Sequence, residues 1–456
     1  MKKTVVIDVV GLSAALIGEH TPFLTAYAKK RHTSAIAPML PAVTTAVQST
    51  YLTGQWPSEH GIVGNGWYDR TDSEIKFWKQ SNKLVYGEKV WERARQLHPG
   101  FTCSKMFWWY NMYSSADFSV TPRPQYLSDG RKAPDCYSHP ASLRDRLQQE
   151  LGTFPLFQFW GPGANIKSTQ WIADASILTD KWHNPDLTLI YLPHLDYCLQ
   201  KFGHDYTKIA PELKAIDGVV RQLVEYYEQQ QSEIIILSEY GITNVSKPIH
   251  INRLLREHGL ISVRVERGLE LLDAGASRAF AVADHQLAHI YINDPCCLKE
   301  VRELVENIPG VELVLDREGK HEHHLHHERS GDIVLVADED SWFTYYYWED
   351  DAKAPDFARI VDIHRKPGYD PVEMFLNPAD PFVKMKVIGK VLKKKLGFRY
   401  LMDVIPLDAT LIKGSHGRIS GDKKDHPVLI TSQKVKDNVQ AVDVHDIILQ
   451  HLGLEG

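Results

Sequence analysis

Three short apolar runs, each closely followed by or containing a carboxylate, constrain the fold more than any other feature of the sequence. The runs are Thr4–Val10, Thr188–Leu192 and Glu233–Leu237. Apolar runs of this length, rich in β-branched residues, are typical of strands buried in a parallel sheet. The segment Pro211–Gln230 has a helical pattern and separates the second run from the third. This order predicts a strand–helix–strand crossover, and hence a doubly wound α/β fold.

The composition excludes several classes of protein. The chain has 456 residues, of which 43% are hydrophobic and 24% are charged, as in a globular protein rather than a disordered or fibrous one. Its 52 basic and 58 acidic residues give a net charge of −6, which argues against a nucleic acid polymer or a membrane as partner. We expect a small molecule as partner, and the sequence leaves the oligomeric state open.

The cysteines and the N-terminal segment indicate a cytoplasmic location. The five cysteines have no spacing typical of a disulfide framework, so we expect reduced thiols. Asp8 interrupts the first apolar run, which a signal peptide would not tolerate. No stretch of about 20 apolar residues is present, so we expect no transmembrane helix.

The segment from 255 to 330 breaks the pattern of the predicted sheet. It alternates short strands with a helix, and we predict that it forms an inserted cap on a core made of residues 1–254 and 331–456. The apolar run Asp332–Ala337 is then expected to return to the core sheet. Further on, the lysine-rich segment Lys384–Lys395 is expected to be a helix with a solvated face.

The carboxylates near the strand ends are candidates for a metal site. Asp8, Asp196 and Glu239 would meet at one edge of a parallel sheet, where the carboxyl ends of its strands lie. Each alone is more often a helix cap, but His416, within Gly414–Gly417, adds an imidazole to the three. Carboxylate oxygens with imidazole nitrogen suit zinc, manganese or iron.

The segment Pro41–Gly54 is the most specific stretch of the sequence. It is predicted to be a loop that opens into a helix beginning near Thr44 and Thr45. A hydroxyl at a helix N-terminus lies where backbone N–H groups and the helix dipole favour anions. Beside a metal ion such a hydroxyl becomes a nucleophile for phosphoryl transfer.

These segments together resemble the alkaline phosphatase superfamily, in its nucleotide pyrophosphatase/phosphodiesterase branch, to which phosphonoacetate hydrolase is closely related. The resemblance rests on Thr44, nine residues before the Thr53–Gly54 pair, and on the later His60–Gly61 and Asn65. It implies an alkaline-phosphatase-type sandwich and a Thr44 nucleophile, with Thr45 as the fallback. It also implies that Asn65 binds a phosphoryl oxygen and that two divalent metal ions, zinc by expectation, assist catalysis.

The metal ligands that the resemblance implies include three departures from the family pattern. The first set is Asp8, Thr44, Glu239 and Tyr240, and the second is Asp196, His416 and either Gln200 or His204. Glu239 and Tyr240 stand where the family has Asp-His, and Gln200 stands where it has His. Manganese and iron are therefore the alternatives to zinc. An intact two-metal enzyme, a site altered or reduced to one metal, and a non-catalytic descendant all remain open.

Other residues are candidates for the margins of this site. His364, in Asp362–His364, and His285 are further possible metal ligands, and Trp67 and Tyr110 are candidate substrate contacts. The function that the resemblance implies is a metal-dependent phosphodiesterase acting on a small phosphorylated metabolite through a phospho-threonine. The alternatives are a hydrolase of carbon–phosphorus bonds and a binding protein with degenerate metal sites.

Overall fold

The computed structural model describes residues 1–454, apart from the side chains of residues 394 and 395, and a nine-stranded sheet forms its centre. From edge to edge the strands are Val439–Gln440, His32–Ala37, Val428–Thr431, Glu233–Leu237, Thr4–Val9, Leu187–Leu192, Cys103–Met106, Phe118–Pro122 and Cys136–His139. The five from Glu233–Leu237 to Phe118–Pro122 are parallel. Val428–Thr431 and Cys136–His139 flank them in the antiparallel sense.

The central strand, Thr4–Val9, shows why apolar runs of this kind are buried. Every residue of Thr4–Val9 is buried, because strands pair on both sides and helices cover the faces. In the register of the sheet, Asp8 pairs with Tyr191 on one side and with Leu237 on the other. The carboxyl ends of the three predicted strands therefore meet at one edge, and the three strand predictions are confirmed.

Helices form two layers against this sheet. Thr44–Thr53 and Asp443–Leu452 contact each other, and so do Ile166–His183 and Tyr206–Gln229. The other α-helices are Pro22–Ala28, Pro57–His60, Val90–Leu97, Ala141–Leu151, His194–Phe202, Ile251–Glu257, Leu298–Val305, Arg317–Glu322 and Val383–Lys395. This arrangement confirms the predicted doubly wound α/β class.

One helix begins earlier than its sequence pattern predicts. The predicted helix Pro211–Gln230 starts at Tyr206, where the Asp205 carboxylate accepts the backbone N–H of Thr207 and caps the first turn. Pro211 therefore lies inside the helix. Within residues 1–454, no helix is both long and apolar enough to cross a bilayer.

A second, antiparallel sheet of four strands lies beside the first. Its strands, in spatial order, are Ala279–Asp284, Leu287–Ile292, Ile333–Ala337 and Val311–Leu315. The prediction that Asp332–Ala337 returns to the core sheet is wrong, because this strand pairs with Leu287–Ile292 and Val311–Leu315 instead. An apolar run of that length fits a buried strand of either sheet. The division into a core and a cap at 255–330 stays a prediction.

Short two-stranded ribbons complete the described chain. They pair Gly66–Asp69 with Glu74–Phe77, Gln125–Tyr126 with Lys132–Ala133, Thr243–Asn244 with Gly414–Ser415, Lys247–Ile249 with Ser341–Phe343, and Val263–Glu266 with Leu269–Leu272. The third ribbon matters most for the site, since it joins the segment after Tyr240 to the residues just before His416.

Candidate active site

The structure brings most of the candidate residues to the carboxyl edge of the central strands. Asp8 lies in the strand Thr4–Val9, Asp196 in the helix that follows Leu192, and Glu239 just after Leu237. Thr44 is the first residue of the helix Thr44–Thr53. The side chains that form the cluster are all buried: Asp8, Thr44, Asp196, Gln200, Glu239, Tyr240 and His416.

The Thr44 hydroxyl lies within hydrogen-bond distance of a neighbouring phenol. Its Oγ1 lies 2.7 Å from the hydroxyl oxygen of Tyr240. The Tyr240 hydroxyl also lies 3.3 Å from Oδ1 of Asp196, to which it can donate; when it does, its oxygen accepts the hydrogen of Thr44. Burial raises the pKa of Tyr240 well above its usual value, and the charges of Asp196 and Glu239 add to this effect. Tyr240 is therefore a neutral phenol that both accepts and donates.

Gln48 connects the carboxylates of Asp8 and Glu239. Its Nε2 donates to Oε1 of Glu239 at 2.6 Å and lies 3.5 Å from Oδ2 of Asp8. Its Oε1 accepts the backbone N–H of Trp109 at 2.7 Å, which fixes the orientation of the amide. Gln48 thus satisfies one oxygen of each carboxylate and leaves the second oxygen of each, Asp8 Oδ1 and Glu239 Oε2, buried without a hydrogen-bond partner.

Asp8 and Glu239 both have raised pKa values. Burial raises the pKa of Asp8 to about 7. Burial also raises the pKa of Glu239, and the negative charge of Asp8 raises it further. Two buried carboxylates this close need a shared proton or a bound cation.

Removing the Gln48 amide tests its role in orienting the pair. We expect Gln48→Leu to lower the free energy of unfolding by about 1–3 kcal/mol, because a buried N–H of Trp109 and two carboxylate oxygens lose their partner. Manganese affinity should fall by about 10–100-fold, as when other residues that orient metal ligands are removed. Urea unfolding and manganese titration by calorimetry measure both quantities. Gln55→Leu, just beyond the end of the same helix, is the control and should change neither; equal effects would contradict the role of Gln48.

The second group of ligands is arranged around Asp196. The Gln200 amide donates to Oδ2 of Asp196 at 3.0 Å, and its Oε1 accepts the Tyr369 hydroxyl at 2.9 Å. His416 Nδ1 lies 2.7 Å from the carbonyl oxygen of Ala42, and its Nε2 lies 3.4 Å from Oδ1 of Asp196 with no hydrogen bond. Gln200 is therefore engaged by its neighbours, whereas Nε2 of His416 remains available.

Four rings form a row beside Asp196, in which the first and last pairs are stacked and the middle pair is tilted. The ring centroids of Tyr240 and His416 are 3.7 Å apart, those of His416 and His285 are 3.8 Å apart, and those of His285 and Tyr369 are 3.6 Å apart. Burial, together with the neighbouring His416, lowers the pKa of His285 to about 4, so this imidazole is neutral near pH 7. The row joins the central sheet to the four-stranded sheet, where His285 follows the strand Ala279–Asp284.

Asn65 lies between the nucleophile helix and the four-stranded sheet. Its Oδ1 accepts the backbone N–H of Thr45 at 3.2 Å, and its Nδ2 donates to Oδ1 of Asp284 at 3.0 Å. Asp284 also lies 2.8 Å from Nδ1 of His285. Burial acts to raise the pKa of Asp284, but these hydrogen bonds lower it below its usual value. One hydrogen of the Asn65 amide remains free to bind a ligand oxygen.

Four of the candidate site residues contact groups other than the seven side chains of the cluster. His364 Nδ1 lies 3.3 Å from the carbonyl oxygen of Phe77, and His204 Nε2 lies 2.7 Å from that of Ile242. Trp67 is stacked under Arg329, whose guanidinium is 4.8 Å from the ring. Tyr110 is buried near Thr45, where burial raises the pKa of its phenol. The fallback nucleophile is also engaged, since the Thr45 hydroxyl donates to the carbonyl oxygen of Gly64 at 2.8 Å.

The sequence reasoning missed three residues that shape the cluster. Gln48 lies one helical turn after Thr44, a spacing that places both on one face of the helix. The other two are Asp284, next to His285 in the sequence, and Tyr369. The helical spacing could have revealed Gln48. No local pattern points to Asp284 or Tyr369, because they reach the site from distant parts of the chain.

The donor set fits a hard cation better than a zinc ion. Among residues 1–454, no three His, Cys, Asp or Glu side chains are arranged as a metal-binding group. Asp8 and Glu239 each have one oxygen without a partner, and the Thr44 hydroxyl lies beside Glu239. Carboxylate and hydroxyl oxygens suit manganese or magnesium, whereas zinc favours nitrogen and sulfur ligands.

Comparison with known proteins places the chain in a family. The family model of type I phosphodiesterase / nucleotide pyrophosphatase matches residues 4–370. The chain is 26% identical to an uncharacterized pyrophosphatase/phosphodiesterase of Schizosaccharomyces pombe over 246 residues, which cover 52% of this chain and 42% of that protein. It is 23% identical to ectonucleotide pyrophosphatase/phosphodiesterase 2 of Saccharomyces cerevisiae over 376 residues, covering 76% of this chain and 65% of the relative. The chain thus matches less than two thirds of the length of these curated relatives.

Solved structures share the fold over nearly the whole chain. Murine ectonucleotide pyrophosphatase/phosphodiesterase 5 matches with a TM-score of 0.59 at 14% identity, covering 99% of this chain and 95% of that one. Phosphonoacetate hydrolase from Sinorhizobium meliloti matches with a TM-score of 0.61 at 14% identity, covering 99% and 96%. Because the family model spans most of the sequence, the chain belongs to the type I phosphodiesterase/nucleotide pyrophosphatase family.

Proposed function

We propose that the protein hydrolyses a phosphoester bond, of the diester or pyrophosphate type, in a small phosphorylated metabolite, with Thr44 as the nucleophile. The observation that carries this proposal is the hydrogen-bond chain from Thr44 through Tyr240 to Asp196. It gives a buried hydroxyl at a helix N-terminus a path along which its proton can leave.

The chain of hydrogen bonds accounts for activation of the nucleophile. As Thr44 Oγ1 attacks phosphorus, its proton passes to the Tyr240 oxygen, and the proton of Tyr240 passes to Asp196. Tyr240 remains a phenol throughout, in keeping with its raised pKa. In this role the replacement of the family histidine by tyrosine is a change of proton carrier.

The phosphoryl group would be held by groups at the start of the nucleophile helix. Backbone N–H groups at a helix N-terminus favour an anion, and Asn65, whose Oδ1 accepts the Thr45 N–H there, has one further amide hydrogen to donate. Asp284 and Thr45 orient that amide. Asn65 would therefore bind a non-bridging oxygen, as the family resemblance implies.

A divalent cation would be held by Asp8, Glu239 and the Thr44 hydroxyl, and by Asp196 and His416 if a second is bound. When bound, such an ion lowers the pKa of a neighbouring hydroxyl and offsets charge on the phosphoryl group. We propose manganese rather than zinc as the metal, on the oxygen-rich donor set. Gln48 keeps the two carboxylates in position.

Two features support a diester over a phosphonate that carries a carboxylate. The described hydrogen bonds and ion pairs of Thr44, Asp8, Glu239 and Asp196 include no Lys or Arg, and such a carboxylate needs a cationic partner. Aromatic side chains next to the cluster offer a surface for a second substituent: Trp78 lies 4.8 Å from Trp109 and 6.1 Å from Tyr369, measured between ring centroids.

Two of the structurally similar proteins have been solved with phosphorus-containing ligands. Murine ectonucleotide pyrophosphatase/phosphodiesterase 5 has a structure of an inactive threonine-to-alanine variant in complex with AMP. The Sinorhizobium meliloti enzyme has structures with phosphonoformate and phosphonoacetate. A threonine whose replacement gives an inactive protein, and a nucleotide as ligand, are therefore precedents for the proposed nucleophile and substrate class.

A substrate panel tests the proposal. Protein purified without chelator and supplied with manganese is assayed on bis-p-nitrophenyl phosphate, a nucleoside triphosphate and phosphonoacetate. We expect turnover of the first two and no release of phosphate from phosphonoacetate. Phosphate release from phosphonoacetate alone would instead identify a carbon–phosphorus hydrolase.

Tyr240→Phe tests the proton path. We expect kcat for the diester to fall by about 10²-fold or more, because Thr44 loses the acceptor of its proton, while KM changes little. Tyr369→Phe is the matched control, since its hydroxyl contacts Gln200 rather than Thr44. Steady-state kinetics of the two variants measure kcat and KM. Equal losses of kcat in both variants would mean that Tyr240 has only a structural role.

A second candidate function is that of a non-catalytic binding protein. It is favoured by the engagement of Gln200 with Asp196 and Tyr369, which removes one family ligand. Such a protein would bind AMP or a related phosphate without turnover. Absence of both metal binding and turnover, with tight nucleotide binding by calorimetry, would establish it.

We also propose that the protein functions in the cytoplasm. The five cysteines are all unpaired, and Cys296 is exposed. Free thiols, including an exposed one, are typical of proteins kept in a reducing compartment.

A further inference from the structure

The helix Val383–Lys395 presents apolar side chains to solvent. Five residues, which we call the apolar stripe, are each more than half exposed: Phe382 (59%), Met385 (62%), Ile388 (67%), Leu392 (56%) and Leu396 (64%). Spacings of three and four residues place them along one side of the helix. Phe398 and Leu401, just beyond it, are also exposed. A soluble surface seldom shows so many large apolar side chains in one row.

The stripe faces away from the protein because another side of the helix is anchored. Val383 is buried and Val387 packs against the main core. Lys390 donates to Asp403 and to the carbonyl oxygen of Leu401, which holds the following segment against the helix. These contacts fix which side of the helix is exposed.

Positive charge lines the stripe on both sides. Residues 382–401 contain six lysines and one arginine and no acidic residue, in a chain whose net charge is −6. Lys386 and Lys390 pair with acids outside this stretch, Asp380 and Asp403. Lys384 and Lys393 are exposed, and neither has an ion-pair partner among the residues that the structure describes. The surface is therefore both apolar and cationic.

We propose that this helix binds the surface of an anionic lipid bilayer. The apolar stripe would lie among the acyl chains near the headgroups, and the flanking lysines would contact lipid phosphates. Long lysine side chains allow this arrangement, since their stems are apolar and their ammonium groups reach the headgroup level. The proposal does not depend on the proposed hydrolase activity.

A bilayer fits this surface better than a second copy of the chain. Symmetric pairing through the stripe would bring the lysine rows of two molecules together, and like charges across an interface are unfavourable. An anionic bilayer instead supplies apolar depth and negative charge at once. The expectation that membranes are not partners rests on the net charge of the whole chain, −6, whereas this helix is a local basic and apolar surface.

Vesicle sedimentation with the full chain tests the proposal. We expect the protein to sediment with phosphatidylcholine vesicles that contain phosphatidylglycerol, to do so less at high salt, and not to sediment with phosphatidylcholine alone. The variant Phe382→Ser/Ile388→Ser/Leu392→Ser should lower the partition coefficient at least about 10-fold. Lys384→Glu/Lys393→Glu should also weaken binding, and only to the anionic vesicles.

A matched control separates this surface from general stickiness. Val265→Ser/Leu298→Ser removes two exposed apolar side chains elsewhere and should leave vesicle binding unchanged. The proposal is overturned if wild type does not sediment with anionic vesicles at low salt, or if the stripe and control variants bind equally well. Concentration-dependent dimers that disappear in the stripe variant, without vesicle binding, would assign the surface to a second copy.

Discussion

Replacing Thr44 by alanine is expected to lower diester turnover by more than about 10⁴-fold, since no other group can take the place of a covalent nucleophile. The fold should persist, because the change removes only the contacts of one hydroxyl, with Tyr240 and Glu239, and creates little empty space. The unfolding free energy should fall by only about 1 kcal/mol. Initial rates with bis-p-nitrophenyl phosphate and urea unfolding of the same preparation measure both effects.

Thr45→Ala is the matched control for this prediction. Thr45 is the next residue of the same helix, is equally buried, and donates its hydroxyl proton to the Gly64 carbonyl oxygen. Its loss should leave turnover within about 10-fold of wild type, as for a residue outside the chemical step. If Thr45→Ala is inactive and Thr44→Ala is active, the assignment of the nucleophile is wrong.

Removing metal ions is expected to make stability depend steeply on pH. The carboxyl of Asp8 has a pKa of about 7 in the folded chain against 3.8 as a free side chain, because it is buried. Between these values the unfolded chain loses a proton that the folded chain keeps, so the unfolding free energy falls as pH rises. The loss across that window is on the order of 4 kcal/mol. Manganese added at pH 8 should restore much of it, since a bound cation replaces the proton.

Asp8→Asn distinguishes this effect from other titrations. The variant has no carboxyl at this position, so the part of the pH dependence that Asp8 contributes in chelator should be absent. What remains belongs to Glu239, whose pKa burial also raises. At pH 8 without metal it should be more stable than wild type, and manganese should stabilise it less. Urea unfolding in chelator, at several pH values, gives the comparison. Parallel pH profiles for the two proteins would show that Asp8 keeps an ordinary pKa.

The sequence allowed the central strands and the nucleophile helix to be predicted because their signals are local. Thr4–Val9 and Glu233–Leu237 are continuous apolar runs, which only a strand covered on both faces explains well. Thr44 opens a helix where the motif spacing places it. The carboxylates near the strand ends then meet as a consequence of parallel pairing.

The residues that the sequence did not reveal depend on contacts between distant segments. Tyr369 reaches Gln200 and His285 from a loop far along the chain, and Asp284 reaches Asn65 from the second sheet. Nothing in the local pattern of these residues says which side chains they meet. Ile333–Ala337 illustrates the same limit, since its apolar run fits a strand of either sheet.

The basic helix Val383–Lys395 shows that composition predicts a solvated face but not which apolar residues are covered. Its lysines predict a solvated face, and the helix itself is present at Val383–Lys395. Whether the apolar residues between those lysines are covered depends on what packs over them. In this chain Val383 is covered and Ile388 is not, and only the tertiary structure separates the two.

The stereochemical course at phosphorus tests the central claim most directly. A chiral phosphorothioate diester is hydrolysed in isotopically labelled water, and the configuration of the product is determined. Attack by Thr44 followed by attack of water on the phospho-threonine inverts phosphorus twice, so the account predicts net retention. Net inversion would mean that water attacks the substrate directly, and would contradict the role of Thr44 as a covalent nucleophile.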